Sequence, residues 1–190
     1  MIVLATVNPC MAQLSPGFFP TEYRDFLGIT AASVPDTTFG KGIPQNPNLE
    51  KIYESPKVGL ENKWYLFVDK NQKIAWFTIQ GTVNNPTSWL ANFYSAMIPA
   101  KGEMQITDKN IFEYNFSENP KAAVHVGWTL STGALAETLV PKLDSLYNSG
   151  YRDFMISGHS QGGAIAYLMT AHLYHLREIG RWEEPIRIKT

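Results

Sequence analysis

Residues 154–163, Phe-Met-Ile-Ser-Gly-His-Ser-Gln-Gly-Gly, decide the fold that this sequence predicts. The apolar run Phe154–Ile156 predicts a buried strand, and residues 162–177 predict a long helix. Between them, residues 158–162 fit the pattern G-x-S-x-G. Because the pattern lies between a strand and a helix, it predicts a sharp turn that holds Ser160 above the edge of a sheet.

This turn has the chemistry of an activated serine. Side chains two residues before and after the serine would collide across the turn, so Gly158 and Gly162 are interpreted as its elbow glycines. The helix that follows directs its free amides and its positive dipole end at the site, and the amide of Gln161 is expected to bind an oxygen that becomes negative during acyl transfer. The alternative is a glycine-rich turn with an inert serine. The order of strand, motif and helix favours Ser160 as a catalytic nucleophile.

The flanking patterns predict an α/β fold. Residues 64–68 and 74–79 predict a hairpin, whose second strand is apolar enough to be covered on both faces. Four leucines between residues 135 and 146 predict an amphipathic helix, which Pro141 should kink or break. Residues 186–188 predict the opening of another strand. This alternation predicts a mostly parallel sheet with helices on both faces, the α/β-hydrolase class.

The rest of the chain has weaker patterns and is predicted to be mostly irregular. A short helix is expected near residues 21–27, in an otherwise irregular segment 13–57. A second helix should start at Thr87 or Ser88, include Met97 and be stopped by Pro99. Short strands are expected at 111–116, within a polar loop 100–121, and at 124–126.

Composition excludes several classes of protein. A length of 190 residues suffices for one domain, and a formal net charge of -1 gives no reason to expect a nucleic-acid partner. The chain has no run of 18 apolar residues, so we expect no transmembrane segment. A single cysteine, Cys10, excludes an internal disulfide framework and a cysteine-rich metal site. We expect no metal and no cofactor.

The first twelve residues resemble the end of a secretory signal peptide. The stretch Met1–Val7 is apolar, and Ala12 is a small residue that could precede a cleavage site, although a basic n-region is missing. The alternative is an N-terminal strand. The signal peptide favours a secreted or periplasmic protein in which residues 13–190 form one domain, whereas the alternative leaves a cytoplasmic protein open.

Four stretches, in their order along the chain, resemble the class 3 lipase family. They are Ile79-Gln80-Gly81-Thr82, Ser88-Trp89-Leu90, Val124-His125-Val126-Gly127-Trp128 and Gly158 to Gly163, and the resemblance covers about residues 64–190. The resemblance implies hydrolysis of carboxylic esters through an acyl-enzyme, with acylglycerols as the first expectation. An esterase for small or carbohydrate esters, and a catalytically inactive binding module of the same fold, remain open.

The resemblance also implies roles for individual residues. Thr82 would supply a second oxyanion contact through its amide and be helped by its hydroxyl; the alternative is a strand-end residue that satisfies local backbone groups. Gln80 departs from the arginine common before this Gly-Thr pair, and Gln161 departs from the usual leucine. Because Gln161 donates through its backbone, its side chain should tune the pocket without disabling it.

A helix with Trp89, Leu90 and Phe93 falls where these lipases carry a lid over the serine. Residues 88–98 are therefore expected to make transient contact with a lipid surface. An ordinary amphipathic surface helix is the alternative.

The sequence lacks the expected partners of Ser160. In this fold an acid and then a histidine follow the nucleophile, but no Asp follows it, and the later histidines, His172 and His175, lie on the elbow helix itself. We reject both as the base, interpret them as surface or half-buried polar groups, and regard their spacing as a poor zinc pair. His125 and His159 are interpreted as structural. We expect the chain to be the N-terminal part of a longer enzyme and to be inactive alone.

Overall fold

A computed structural model describes residues 14–33, 40–83, 86–93 and 96–190, apart from the side chains of Leu90 and Ala91. The segment on which the signal-peptide prediction depends lies outside these residues. In chain order the elements are α1 (Pro20–Ser33), β1 (Leu49–Glu54), β2 (Trp64–Asp69), β3 (Ile74–Ile79), α2 (Pro86–Phe93), β4 (Met97–Pro99), β5 (Lys101–Thr107), β6 (Asn110–Asn115), β7 (Ala123–His125), α3 (Val126–Asn148), β8 (Asp153–Gly158), α4 (Gln161–Glu178) and β9 (Arg187–Lys189).

The main sheet has the strand order β1-β2-β3-β8-β9. The pairs β1–β2 and β2–β3 are antiparallel, whereas β3–β8 and β8–β9 are parallel. The predicted hairpin is confirmed, because β2 and β3 pair from Trp64 opposite Ile79 to Asp69 opposite Ile74. In the parallel pair of β3 and β8, Ile79 lies opposite Gly158. The register therefore brings the chain after β3 beside the predicted serine turn.

Helices cover both faces of this sheet, as the sequence predicts. On one face, α3 and α4 pack with Leu139 and Met169 against Phe77, all of which are fully buried. On the other face, Ile29 of α1 packs against Trp76 in a second apolar cluster. Successive side chains of a strand point to opposite faces, and both faces of β3 are covered, so its residues are apolar except for Thr78.

The third helix is longer than the leucine pattern indicates. It begins at Val126, which we expected in a strand, and it continues through Pro141 without a break. Proline removes one helix hydrogen bond and crowds the preceding turn. Here Pro141 is exposed, while Leu139 and Leu143 on either side of it are fully buried. Burial of the apolar face explains why the helix tolerates the proline, and the predicted break is wrong.

Four further expectations need correction. The irregular segment 13–57 contains the whole of α1, which is longer than 21–27, and the strand β1. The loop 100–121 contains a hairpin of β5 and β6, so only its second strand was predicted. The second helix ends at Phe93, and Met97 opens β4 instead. Thr87 and Ser88 lie inside this helix, which begins with a proline, a residue suited to the first helical position.

Candidate active site

Ser160 lies in the sharp turn that joins β8 to α4. Its backbone has φ 56° and ψ -126°, and its side chain is exposed. A positive φ is rare for a residue with a side chain, and holding it costs about 1–3 kcal/mol, which the surrounding structure must supply. Two backbone bonds brace the turn: Gly162 N donates to His159 O at 3.0 Å, and Gly163 N donates to Ser160 O at 2.9 Å. The hydroxyl is thus held outward at the carboxyl end of the sheet.

The two elbow glycines lie where no side chain fits. A Cβ atom on Gly158 would lie 2.2 Å from the carbonyl oxygen of Gly162, and a Cβ atom on Gly162 would lie 2.3 Å from the carbonyl oxygen of Ile79. Gly81 is crowded against the same turn, which the sequence did not reveal. A Cβ atom on Gly81 would lie 2.7 Å from His159 O and 3.5 Å from Ser160 Cβ. The end of β3 and the serine turn therefore touch through their backbones.

Thr82 and Gln161 are brought together beside Ser160. The hydroxyl of Thr82 donates to Oε1 of Gln161 at 3.0 Å, across 79 residues of chain. The amide nitrogen of Gln161 belongs to the first residue of α4, where no carbonyl lies one turn earlier to accept its proton. The two predicted oxyanion residues therefore lie on the same side of the turn, in contact with each other.

Asn92, which the sequence analysis missed, joins this pair. Its Nδ2 donates to Thr82 Oγ1 at 2.9 Å, and its Oδ1 accepts from Trp128 Nε1 at 3.3 Å. The bonds connect α2 to the end of β3 and to the start of α3. The sequence carries little signal for this role, because the partners of Asn92 are distant in sequence. The chain of bonds ties the predicted lid helix to the candidate oxyanion residues.

None of the described histidines hydrogen-bonds to the hydroxyl of Ser160. His125 caps α3, where its Nδ1 accepts from Trp128 N at 3.4 Å, and its ring stacks on Trp128. His175 is half-buried, as expected. His172 is not at the surface: it is 6% exposed, and burial, aided by the nearby positive charges, lowers its pKa to about 4.

The described residues form neither a metal site nor a membrane-spanning helix. No three His, Cys, Asp or Glu side chains of the described residues come close enough together to hold a metal ion. Among the helices formed by those residues, none combines the length and apolarity needed to cross a bilayer.

An apolar patch lies next to the candidate site. Trp89 and Phe93 of α2 are 46% and 73% exposed, and their rings stack with centroids 5.8 Å apart. Met97, at the start of β4, is 60% exposed. Three large apolar side chains on one short stretch are costly to leave in water, which is typical of a surface that meets an apolar partner.

Comparison with known proteins gives the chain a family. The family model for lipase (class 3) matches residues 76–190. No curated protein sequence matches the chain. Similar solved structures include the triacylglyceride lipase of Rhizomucor miehei, with 17% identity and a TM-score of 0.58, covering 83% of this chain and 56% of that one. The lipase of Rhizopus microsporus var. chinensis has 21% identity and a TM-score of 0.58, covering 90% and 56%.

The nonglycosylated LIP2 lipase of Yarrowia lipolytica has 24% identity and a TM-score of 0.52, covering 80% of this chain and 52% of that one. The chain thus spans a little over half the length of the lipases it matches. These likenesses show the α/β-hydrolase fold. Because the family model matches more than half of its residues, this chain belongs to the class 3 lipase family.

Proposed function

We propose that the chain carries the nucleophile and the oxyanion hole of a carboxylic ester hydrolase, with Ser160 as the nucleophile. The observation that carries this proposal is the positive φ of Ser160 in a turn flanked by two glycines, at positions where a residue with a side chain would not fit. An inert turn gains nothing from this strain, whereas a nucleophile needs an exposed hydroxyl at the carboxyl edge of the sheet. Membership of the class 3 lipase family supports the same reaction.

The proposed reaction proceeds through an acyl-enzyme. The Ser160 oxygen attacks the ester carbonyl carbon while a general base accepts its proton. The carbonyl oxygen becomes an anion and binds the backbone amides of Thr82 and Gln161, assisted by the hydroxyl of Thr82. The intermediate then expels the alcohol, which takes the proton from the base. Attack by water on the acyl-enzyme releases the carboxylic acid and restores the serine.

The proposed substrates are acylglycerols presented at a lipid surface. The exposed Trp89, Phe93 and Met97 lie on the helix and strand that follow Thr82, so a surface that accepts them would lie next to the serine. The similarity to a triacylglyceride lipase supports this substrate class. We also propose a secreted or periplasmic protein, because residues 1–12 resemble the end of a signal peptide.

Hydrolysis by the full-length protein tests the proposal. The full-length protein is used because this chain spans little more than half of the lipases it resembles. We expect it to hydrolyse both a soluble p-nitrophenyl ester and emulsified triacylglycerol, and Ser160→Ala should abolish both activities. Hydrolysis of the soluble ester alone would favour a small-ester esterase, and no Ser160-dependent hydrolysis of any ester would favour an inactive binding module. Circular dichroism of the variant verifies its fold.

A further inference from the structure

The hydroxyl of Thr82 makes hydrogen bonds with two side-chain amides, those of Gln161 and Asn92. A threonine hydroxyl has one proton to donate and two lone pairs to accept with. Nδ2 of Asn92 can only donate, so Thr82 Oγ1 accepts from it at 2.9 Å. Oε1 of Gln161 can only accept, so the single hydroxyl proton goes to it at 3.0 Å. In this arrangement the proton is not available to a substrate oxygen.

The side-chain amide of Gln161 has a donor, Nε2, that lacks a hydrogen-bond partner among the described residues. The residue is 4% exposed. A buried polar group without a partner is costly, and a buried N–H without a partner is rarer in folded proteins than an under-satisfied carbonyl oxygen. The last torsion of glutamine is soft and roughly two-fold, so the amide can turn over with little change of shape.

Turning over the side-chain amide of Gln161 changes which hydrogen bonds the Thr82 hydroxyl can donate. Nε2 would then lie where Oε1 lies now and would donate to Thr82 Oγ1. The oxygen of Thr82 would accept from both Asn92 and Gln161, and its proton would be free for the oxyanion. A hydrogen bond to an anion is roughly twice as strong as a neutral one, and two donors to the same hydroxyl polarise it further. Negative charge on the substrate therefore favours the turned amide.

We propose that the Gln161 side chain is a positioning residue of the oxyanion hole. Its Oε1 accepts a hydrogen bond from the Thr82 hydroxyl in the resting site. Turned over, its Nε2 donates a hydrogen bond to Thr82 Oγ1 as the oxyanion forms. The inference rests on the proposed function, since it requires an oxyanion beside Thr82. It gives Gln161 a role through its side chain, in addition to its backbone amide, that the leucine usual at this position cannot have.

A double-mutant cycle on the full-length protein tests the inference, with kcat and KM measured on a soluble p-nitrophenyl ester. Gln161→Met keeps the length of the side chain and removes the amide. We expect it to lower kcat about five- to tenfold, the effect of one ordinary hydrogen bond, with KM nearly unchanged. Thr82→Val should lower kcat by about 10²-fold, as for one oxyanion donor. The double variant should be no slower than Thr82→Val.

Two results would overturn the inference. One is an unchanged kcat in Gln161→Met, and the other is a double variant whose loss equals the product of the two single losses. Gln161→Leu provides a second variant in case Gln161→Met does not fold, and circular dichroism distinguishes loss of fold from loss of rate. The cycle needs a wild-type protein that hydrolyses the ester through Ser160. If the proposed function is wrong, the wild-type protein shows no Ser160-dependent hydrolysis, and this outcome differs from either result above.

Discussion

Alanine at Gly162 and alanine at Gly163 should have very different effects, although the residues are adjacent in the same helix. A Cβ atom on Gly162 would lie 2.3 Å from the carbonyl oxygen of Ile79 and 2.8 Å from that of Gln80. Both are backbone atoms at the end of β3, so the clash can be relieved only by moving α4 away from the sheet. A Cβ atom on Gly163 would lie 3.2 Å from the carbonyl oxygen of Gly158, a contact that a shift of a few tenths of an ångström relieves.

The magnitudes follow from two opposing terms. In either position, replacing glycine by alanine gains about 0.5–1 kcal/mol of helix stability. Overpacking against groups that cannot move costs typically about 1–3 kcal/mol and occasionally more. For Gly162→Ala the contact is almost 1 Å shorter than for Gly163→Ala. We therefore expect Gly162→Ala to lower the free energy of unfolding by about 2 kcal/mol or more, and Gly163→Ala to change it by less than about 1 kcal/mol.

Urea unfolding followed by circular dichroism measures both variants against the unsubstituted chain. A fall in the midpoint concentration at constant slope reports a loss of stability, whereas a changed slope reports a change in the folded or unfolded state. Equal midpoints for the two variants would refute the reasoning, because the two substitutions differ only in the backbone contact at the turn.

Three further predictions concern neighbouring residues. Asn92→Ala removes the donor to Thr82 and should lower kcat of the full-length protein on a soluble ester about five- to tenfold, and an unchanged kcat would contradict this. Phe93→Asp, at a position 73% exposed, should lower hydrolysis of emulsified triacylglycerol and leave the soluble ester unaffected; equal losses on both would argue against a lipid-facing patch. His172, whose pKa burial lowers to about 4, should make unfolding pH-dependent. Because the unfolded chain takes up its proton near pH 6.5 and the folded chain does not, the free energy of unfolding should fall by about 2 kcal/mol between pH 7 and pH 5. His172→Leu should remove that part of the fall, and an equal fall in both proteins would mean that other groups cause it.

The serine turn could be predicted because its causes are local. A strand, a turn that needs glycine at two positions and a helix are all encoded within residues 154–177, and the structure brings Gly158 and Gly162 into the crowded contacts that the pattern implies. The approach of Thr82 to Gln161 was foreseen only through the family resemblance, since no spacing in the sequence relates the two residues.

The elements that were missed depend on distant partners. The strand β1 is mostly exposed, and it forms because its backbone pairs with β2. The hairpin of β5 and β6 exposes most of its first strand and packs Met104 and Ile106 on the core. Asn92 acquires its role only when α2 folds over the end of β3. Edge strands and tertiary hydrogen bonds leave little periodicity for a sequence to reveal.

Labelling with a fluorophosphonate tests most directly whether Ser160 is the nucleophile. The probe reacts with an activated serine, and mass spectrometry of a protease digest identifies the modified peptide. In the full-length protein we expect one labelled peptide, the one that contains Ser160, and no label in Ser160→Ala with the fold retained. A label on another serine, or labelling that persists in Ser160→Ala, would contradict the assignment.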